Sequence, residues 1–528
     1  MKVESQKIIL FLCNWGPHSA YNRLQDEGYR IPAAVQMVRI PCTGRISKAL
    51  LFKAFEMGAD GVALVGCAPG TCRYGSGTAS AAKNTEDTRQ ILSLMGVGED
   101  RMRLATFLPD EAPELERFLK DFAADLARLG NSPITPANRL TEGTESDVGE
   151  ILTRHDAYSC QDCGKCTAAC PLALSGKPYS PRAIVSAIVR GEVDSLSVTR
   201  DVQACLTCGL CHDRCPSDVD FPSFIRDIRC HLNGRNMDRH RQPHGGFFQS
   251  LMRAMASPAL KTHRWDFLPS DIRLDTESKV LFFGGCAPYF DAFFKHHYDC
   301  RTADILTDSL RLLNFFDVHP RLMPAERCCG HDLLWSGDRE GFLRLATINV
   351  EQLNALGIEE LITACPECYR SLSADYPAHG LTPQFKVTHL YAFLENQIDK
   401  GAVSFKSLPR RITYQDACRL NRSDAIRDLP RRLLRRLSTA GFVEMADAGP
   451  SALCCGNCAW GPCDASNKAL QVQRLTQARA TGSDLLVTSC PKCQIHLRCA
   501  MEDPFRGDDI RMEMADLTSV LARTIQWE

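Results

Sequence analysis

Cysteine spacing constrains this chain more than any other feature of its sequence. The chain has 528 residues and 27 cysteines, and a chain of this length does not need disulfides to hold a core together. Many of the cysteines recur instead at short fixed spacings, which is typical of metal ligands in a reducing compartment. The sequence therefore predicts a metalloprotein with three or four domains of ordinary size.

Charge and hydropathy exclude two classes of partner. The 62 basic and 63 acidic residues give a formal net charge of -1, which does not supply the positive field that nucleic acid requires. No apolar run approaches the roughly 20 residues that cross a bilayer, and the N-terminal apolar stretch is too short for a secretory signal. We therefore expect no nucleic-acid partner, no transmembrane segment and a cytoplasmic location.

Hydrophobic periodicity predicts a multidomain α/β chain. Strands alternate with helices at the N-terminus, which favours a flavodoxin-like parallel sheet covered on both faces. A polar linker follows, then a cysteine-dense helical segment, a partly helical connection and two similar α/β halves. The predicted boundaries are 1–130, 131–150 for the linker, 151–235, 236–277 for the connection, 278–400 and 401–528.

The first candidate site lies in the N-terminal domain. Cys13, Cys42 and Cys67 each follow a predicted strand, and the loop GCAPGTC adds Cys72. The carboxyl ends of parallel strands meet at one edge of an open sheet, where ligands bind. Four thiolates there would suit either zinc or a [2Fe-2S] cluster, and the spacing does not choose between them. Four buried thiols without a metal are the remaining alternative.

Four segments of this domain resemble the delta subunit of methyl-viologen-reducing hydrogenase, namely CNWG, RIPCTGRI, EMGADGVALVGC and GCAPGTCRY. The resemblance implies a [2Fe-2S] cluster on the four cysteines and electron transfer to the flavin subunit of heterodisulfide reductase. In that family a second cysteine usually follows the Asn-Trp pair, where this chain has Gly16.

The strongest motif is a C-x2-C-x2-C-x3-C-P run that occurs twice. In such a pair, three cysteines of one run and the last cysteine of the other hold each [4Fe-4S] cube. Zinc knuckles are the alternative, but they use separated C-x2-C pairs rather than three cysteines in one loop. The sequence between the runs is helical and resembles the C subunit of heterodisulfide reductase. The expected ligand sets are Cys160, Cys163, Cys166 and Cys215 for one cube, and Cys205, Cys208, Cys211 and Cys170 for the other.

The two C-terminal halves share an order of five cysteines, which indicates a duplication. Each half has, in order, a strand, one cysteine, a Cys-Cys-Gly, a second strand and a Cys-Pro-x-Cys. These five cysteines exceed the four ligands that a cubane cluster needs. The pattern resembles the CCG domain in the B subunit of heterodisulfide reductase, which implies a noncubane [4Fe-4S] cluster in each half and disulfide cleavage between the two. The implied ligands are Cys286, Cys328, Cys329, Cys365 and Cys368 in the first half, and Cys418, Cys454, Cys455, Cys490 and Cys493 in the second.

Surplus cysteines lie outside these sets. Cys458 and Cys463 flank Trp460 just after the second Cys-Cys-Gly, where they would alter a substrate pocket. The other surplus cysteines are expected to be small buried hydrophobes rather than ligands. They are Cys230, Cys300 and Cys499.

Several polar residues beside the ligands are candidates for a role in the site. His331 follows the first Cys-Cys-Gly and would donate a proton to a product thiolate or a hydrogen bond to a cluster sulfur. Arg419 and Arg422 would meet an anionic substrate or the negative charge of a cluster. The arginines from Arg431 to Arg436 are expected to form a solvated helix face.

Taken together, the segments resemble a hydrogenase delta subunit fused to the C and B subunits of heterodisulfide reductase. The resemblance implies one [2Fe-2S], two cubane and two noncubane [4Fe-4S] clusters, and an oxidoreductase subunit that reduces a disulfide or a similar acceptor. FAD is expected on a flavoprotein partner that resembles the A subunit of the same reductase. The further expected partners are an electron-donating dehydrogenase or hydrogenase and ferredoxin. The complex would be either an electron-bifurcating one or a simpler one. The alternatives are an electron-transfer adaptor without a substrate and an iron-sulfur subunit of a quinone-linked or 2-hydroxyacid-oxidising system.

Overall fold

The computed structural model describes residues 6–136, 147–234 and 242–526, apart from six single positions between 402 and 507. The chain forms two compact units. The first comprises residues within 1–141, 244–266 and 288–299, and the second comprises residues within 142–243, 267–287 and 300–528. Half of the predicted linker 131–150, and the start of the predicted connection 236–277, lie outside the described residues.

Short parallel strands and longer helices alternate along the described chain. The strands are β1 Ile8–Cys13, β2 Val35–Ile40, β3 Gly61–Cys67, β4 Met102–Phe107, β5 Val280–Phe282, β6 Glu360–Thr363, β7 Lys386–His389, β8 Ile412–Tyr414, β9 Leu485–Thr488 and β10 Glu513–Asp516. The helices are α1 Gly16–Asp26, α2 Lys48–Glu56, α3 Gly77–Leu94, α4 Ala112–Leu129, α5 Val148–Arg154, α6 Lys165–Ala169, α7 Pro171–Leu174, α8 Pro181–Val189, α9 Leu196–Ala204, α10 Leu210–Asp213, α11 Phe221–Gly234, α12 Phe247–Met255, α13 Ala287–Phe294, α14 Ala303–Phe315, α15 His331–Trp335, α16 Arg339–Ala355, α17 Pro366–Arg370, α18 Tyr376–Ala378, α19 Leu390–Lys400, α20 Cys418–Asn421, α21 Leu429–Leu437, α22 Ala465–Ala480, α23 Pro491–Met501 and α24 Leu517–Thr524. None of the helices in the described ranges combines the length and the apolar character needed to cross a bilayer.

The first unit is built on a parallel sheet with the strand order β2-β1-β3-β4. Strand β3 is buried along its whole length, as expected for a central strand covered on both faces. Helices α1 and α4 cover one face, where Tyr21, Leu24 and Phe122 pack against strand residues such as Leu10. Helices α2 and α3 pack together and against β3. This arrangement confirms the predicted flavodoxin-like domain.

Two later segments complete the first unit. Helix α12 lies against α2, where the Phe52 and Phe247 rings are 5.3 Å apart and Arg253 forms an ion pair with the buried Glu56 at 2.6 Å. The Lys48 ammonium donates to the main-chain oxygen of Phe293. From the sequence, we expected these segments in the connection 236–277 and in the first cysteine-rich half.

The second unit begins with a helical module. Helices α5, α9 and α10 pack around α11, and α6 lies beside α10. A buried contact of 2.8 Å between His155 Nε2 and Asp227 Oδ2 ties α11 to the end of α5. The cysteines of the two runs lie in the short helices α6 and α10 and in the loops next to them, which confirms the predicted helical character of this domain.

The rest of the second unit contains two similar three-stranded parallel sheets, ordered β5-β6-β7 and β8-β9-β10. Their additional contacts also correspond, since Leu281 forms an isolated bridge with Arg321 and Ile412 forms one with Phe442. The structure confirms the predicted duplication. Strands β7 and β10 were not predicted, because their sequences KVTH and EMAD lack the apolar run of the other short strands. Each ends at a residue that caps the next helix, His389 for α19 and Asp516 for α24.

Candidate metal centres

The four cysteines of the N-terminal domain meet at one edge of its sheet. Cys13 and Cys67 end β1 and β3, and their sulfurs are 3.6 Å apart. The sulfurs of Cys42 and Cys72 both lie beside Gly77, since a Cβ there would be 2.5 Å and 2.8 Å from them. Glycine is therefore required at residue 77 to leave room for both sulfurs.

The four thiols differ in their electrostatic environment. Burial is the main effect that raises the pKa of Cys13 and of Cys42. Cys72 is also affected by burial, but main-chain N–H groups of Tyr74 and Gly77, where α3 begins, lower its pKa. A helix N-terminus favours a thiolate in this way. The site therefore offers four convergent sulfurs, with Cys72 the most readily ionised among these three.

One four-cysteine set of the helical module is enclosed. The sulfur-bearing residues Cys170, Cys205, Cys208 and Cys211 line a small cavity together with Tyr179 and Thr207. Burial raises the pKa of Cys170 and of Cys208 to about 12. The structure thus brings together the residues of one predicted cube, including Cys170 from the other run.

The other set of the module lies nearer the surface. Cys163 is exposed, and Cys160, Cys166 and Cys215 are partly buried. Burial raises the pKa of Cys166, and the nearby Cys160 adds to the effect. The loop that ends at Cys215 follows α10, which packs against the α6 that carries Cys166. The two sets therefore differ in their access to solvent.

The two cysteine-rich repeats bring their five sulfurs together in the same order. In the first repeat, Cys286 Sγ is 3.0 Å from Cys328 Sγ, and further sulfur contacts lead from Cys328 to Cys329, Cys368 and Cys365. In the second repeat, the equivalent contacts lead through the sulfurs in the same sequence. They join Cys418, Cys454, Cys455, Cys493 and Cys490.

The backbone next to these sulfurs differs between the repeats. Gly285 precedes Cys286 and has a φ of +72°, and a Cβ on it would lie 2.7 Å from Cys368 Sγ. The equivalent residue of the second repeat is Ala417, with a φ of -78°. Only the first repeat therefore requires glycine at this point.

A buried ion network joins the two repeats. Glu367 and Lys492 are the variable residues of the two Cys-Pro-x-Cys motifs, and they form an ion pair with each other. Lys492 also pairs with Asp332. His331 Nδ1 is 2.9 Å from Asp332 Oδ1. His331, Asp332 and Glu367 together could hold a metal ion, but the Lys492 ammonium already supplies the cation.

Arg419 is buried at the junction of the two repeats and the helical module. Its Nε donates to His331 Nε2 at 3.0 Å, so His331 accepts through that nitrogen. Its Nη1 and Nη2 donate to the carbonyl and hydroxyl oxygens of Thr207 at 3.0 Å and 3.1 Å. Nη2 also lies 3.2 Å from Cys458 Sγ. Sequence reasoning named Arg419 and His331 but missed Lys492 and Glu367, which alignment of the two repeats would have revealed as opposite charges at one position.

Other candidates from the sequence have mixed outcomes. The predicted solvated helix face is wrong for Arg431, which is buried and pairs with Asp416 and Glu444, whereas Arg432 and Arg436 are exposed as expected. Cys458 is buried and Cys463 is exposed. The remaining surplus cysteines are only partly buried, and they are Cys230, Cys300 and Cys499.

The donor sets suit iron-sulfur clusters. All 27 cysteines are thiols rather than disulfides, and the thiolate is the soft ligand that such clusters use. Glycines stand where a side chain would collide with the sulfurs of Cys42, Cys72 or Cys368. The residues present therefore supply the ligands that such clusters require.

This fold and these cysteine sets define an iron-sulfur protein of the oxidoreductase class. Residues 8–130 match the family described as methyl-viologen-reducing hydrogenase, delta subunit, residues 159–220 match the 4Fe-4S dicluster domain, and residues 280–373 and 412–498 match the cysteine-rich domain. The iron-sulfur D subunit of the F420-non-reducing hydrogenase of Archaeoglobus profundus is 30% identical over 123 residues, 23% of this chain and 90% of that protein. The chain belongs to this delta-subunit family in its N-terminal domain and carries the dicluster and duplicated cysteine-rich domains in addition.

The chain is also similar to heterodisulfide reductase subunits and related proteins. The D subunit of the dihydromethanophenazine:CoB--CoM heterodisulfide reductase of Methanosarcina acetivorans is 27% identical over 290 residues, which cover 53% of this chain and 68% of that protein. The B subunit of the fumarate reductase (CoM/CoB) of Methanothermobacter marburgensis is 28% identical over 245 residues, 46% of each chain. The chain spans between 61% and 68% of the length of the heterodisulfide reductase D subunits that it matches.

Proposed function

We propose that this chain is the iron-sulfur subunit of a flavin-containing oxidoreductase complex and that it reduces a disulfide or a similar acceptor between its two five-cysteine sites. The observation that carries the proposal is the identical order of sulfur contacts in the two repeats. A two-electron reduction of a disulfide can take one electron from each of two one-electron carriers beside the substrate, and a duplicated site would provide both.

The proposed ligands are four cysteines for a [2Fe-2S] cluster, two sets of four for cubane clusters and two sets of five for noncubane clusters. Bound there, iron-sulfur clusters would supply one-electron carriers with potentials set by their protein surroundings. The chain's own residues enclose them. Cys328, Cys329, Cys454 and Cys455 are buried, whereas Cys286, Cys365 and Cys418 of the same sites are partly exposed.

Contacts between the helical module and the second repeat support electron exchange between these parts. Arg422 Nε donates to the carbonyl oxygen of Cys208 at 3.0 Å, and the Arg422 guanidinium also pairs with Asp213 at 2.5 Å. Besides burial, the thiol of Cys418 contributes to the raised pKa of Cys208, so these two ligand cysteines of different sets lie near each other. The surface set with the exposed Cys163 is then the side on which a flavoprotein partner would deliver electrons.

Turnover by the iron-loaded chain tests the proposal. We expect the purified chain with reduced viologen to reduce at least one compound of a disulfide panel, with two electrons consumed per disulfide. A variant that combines Cys365→Ser with Cys490→Ser should lose turnover while it keeps the iron of the helical module. A surface variant, Lys386→Met, should retain the activity of the unaltered chain.

Two other outcomes would favour the alternatives. A fully loaded chain that reduces no disulfide but passes electrons to a partner flavoprotein would be an electron-transfer adaptor. Reduction of a quinone, or oxidation of a 2-hydroxyacid, by the loaded chain in place of disulfide reduction would indicate the third type of system.

A further inference from the structure

Arg419 is buried in the second unit without an ion-paired carboxylate, as are Arg229 and Arg474, but of these three arginines it is the one that donates to a sulfur. Lys492 pairs with Asp332 and Glu367, and Arg431 pairs with Asp416 and Glu444. The four hydrogen-bond acceptors of Arg419 are instead two oxygens of Thr207, one ring nitrogen of His331 and the sulfur of Cys458. None of the described carboxylates forms an ion pair with it.

The acidic groups closest to Arg419 are already committed to other cations. Glu367 pairs with Lys492, and Asp375 pairs with Arg370 at 3.2 Å and accepts from the Trp335 indole at 3.1 Å. The Arg419 guanidinium lies over the Trp335 ring at 3.9 Å, which adds a cation-π contact. Neither of these carboxylates forms an ion pair with the charge of Arg419.

A buried charge without an ion-paired carboxylate is costly, so negative charge on other groups near it would stabilise it. Arg419 directly follows the ligand candidate Cys418, and its Nη2 lies 3.2 Å from the sulfur of Cys458, three residues after the ligand candidate Cys455. Thiolates that hold a cluster carry the negative charge that this position lacks. The charge of Arg419 is therefore directed at the centre of the second repeat.

The two-pronged guanidinium of Arg419 also holds the loop that contains Thr207 in the helical module. Thr207 lies between Cys205 and Cys208, two ligand candidates of the enclosed cube, and Arg419 donates to both its carbonyl and its hydroxyl oxygen. Lysine carries the same charge but does not offer this planar pair of donors. The charge and the fork of Arg419 thus have separate consequences.

We propose that Arg419 is a positioning residue which holds the Thr207 loop of the helical module beside the second five-cysteine site, and that its charge favours the reduced state of the centre bound there. This inference rests on the proposed function, because it requires centres in both cysteine sets. Reduction here is the gain of one electron from an external reductant, and the guanidinium remains charged throughout.

A potentiometric titration of the iron-loaded full chain, followed by electron paramagnetic resonance, tests both parts. The signal of the second-repeat centre is identified as the one that is lost in Cys490→Ser. We expect Arg419→Gln to lower the midpoint potential of this signal and to weaken its spin-spin coupling to the neighbouring cube. Arg419→Lys should keep the midpoint potential and weaken only the coupling. Arg432→Gln, an exposed arginine of the same repeat that pairs with Glu395, should change neither.

Three results would overturn the inference. An unchanged midpoint potential in iron-replete Arg419→Gln would show that the charge has no effect, and unchanged coupling in Arg419→Lys would show that the fork does not position the loop. If Arg419→Gln loses its iron while Arg419→Lys has the coupling of the unaltered chain, the side chain stabilises the fold only. Because the readout is a potential and a coupling, a chain without disulfide turnover can still pass this test. The proposed function itself fails if the unaltered chain has no signal from the second repeat.

Discussion

The first and second cysteine-rich repeats hold five sulfurs in the same order but surround them with different residues. The first repeat has Gly285, Glu367 and the His331-Asp332 pair beside its sulfurs, whereas the second has Ala417, Lys492 and the Asn457-Cys458 pair at the corresponding places. The sulfurs have kept one arrangement after duplication, and the charges have diverged so that the acidic side of one repeat pairs with the basic side of the other. The duplicated halves are therefore not interchangeable.

The largest expected effect is the loss of iron when the glycine before the first cysteine ligand of the first repeat is replaced. Gly285→Ala would place a methyl group 2.7 Å from Cys368 Sγ at a φ of +72°, so we expect loss of the iron of the first repeat, about 4 atoms per chain for a four-iron cluster. Iron analysis of the purified variant measures this. Ala417→Gly in the second repeat is the matched control and should retain its iron. Full iron content in Gly285→Ala would show that the first repeat does not need glycine there.

Breaking the ion network should be the next largest effect. Lys492→Met leaves Asp332 and Glu367 buried without their cation, and we expect a loss of about 3–5 kcal/mol in the free energy of unfolding. Glu367→Gln leaves Lys492 paired with Asp332, so a smaller loss of about 1–3 kcal/mol is expected. Denaturant unfolding of both variants gives the comparison. Equal losses of unfolding free energy in the two variants would contradict the pairing of Lys492 with both Asp332 and Glu367.

The exposed pair of Lys386 with Glu360 provides a control for this experiment. Lys386→Met should cost less than about 1 kcal/mol, because exposed ion pairs contribute little. A loss as large as that of Lys492→Met would contradict the role assigned to burial.

The capping residues that end β7 and β10 should give opposite pH dependence. Burial raises the pKa of Asp516 to about 7 from a usual value of 3.8, so the folded chain binds the extra proton between these pH values. Stability should fall by about 1.4 kcal/mol per pH unit as the pH rises from 4 to 7. Asp516→Asn removes this loss, and it should melt at a higher temperature than the unaltered chain at pH 8, with a smaller gain at pH 5. An equal gain in melting temperature at pH 5 and pH 8 would contradict the raised pKa of Asp516.

His389 should show the smallest effect, with the opposite sign. Burial lowers its pKa to about 3 from 6.5, so the unfolded chain binds the extra proton below pH 6.5. Stability should fall by up to about 1.4 kcal/mol between pH 6.5 and 5.5. Thermal unfolding of His389→Asn, which can still cap α19, should lack this fall. If the stability of both proteins changes equally between pH 6.5 and 5.5, His389 is not held neutral in the folded chain.

Much of the fold follows from the sequence, because its signals are local. The apolar run of β3 and the spacing of Cys160 to Cys170 each specify an element within a dozen residues. The strands β7 and β10 were missed because KVTH and EMAD lack the apolar run that marks the equally short β6 and β9. The burial of Arg431 depends on Asp416 and Glu444, and the network around Lys492 depends on a residue of the other repeat. Such contacts arise only when distant segments meet.

The ligand assignment is the central claim, and metal analysis combined with Mössbauer spectroscopy tests it most directly. One two-iron and four four-iron clusters predict about 18 iron per chain. The paired Cys365→Ser and Cys490→Ser variants should each lose the spectrum of one five-cysteine site and keep that of the other. Substantial zinc with fewer than about 12 iron per chain would contradict the account.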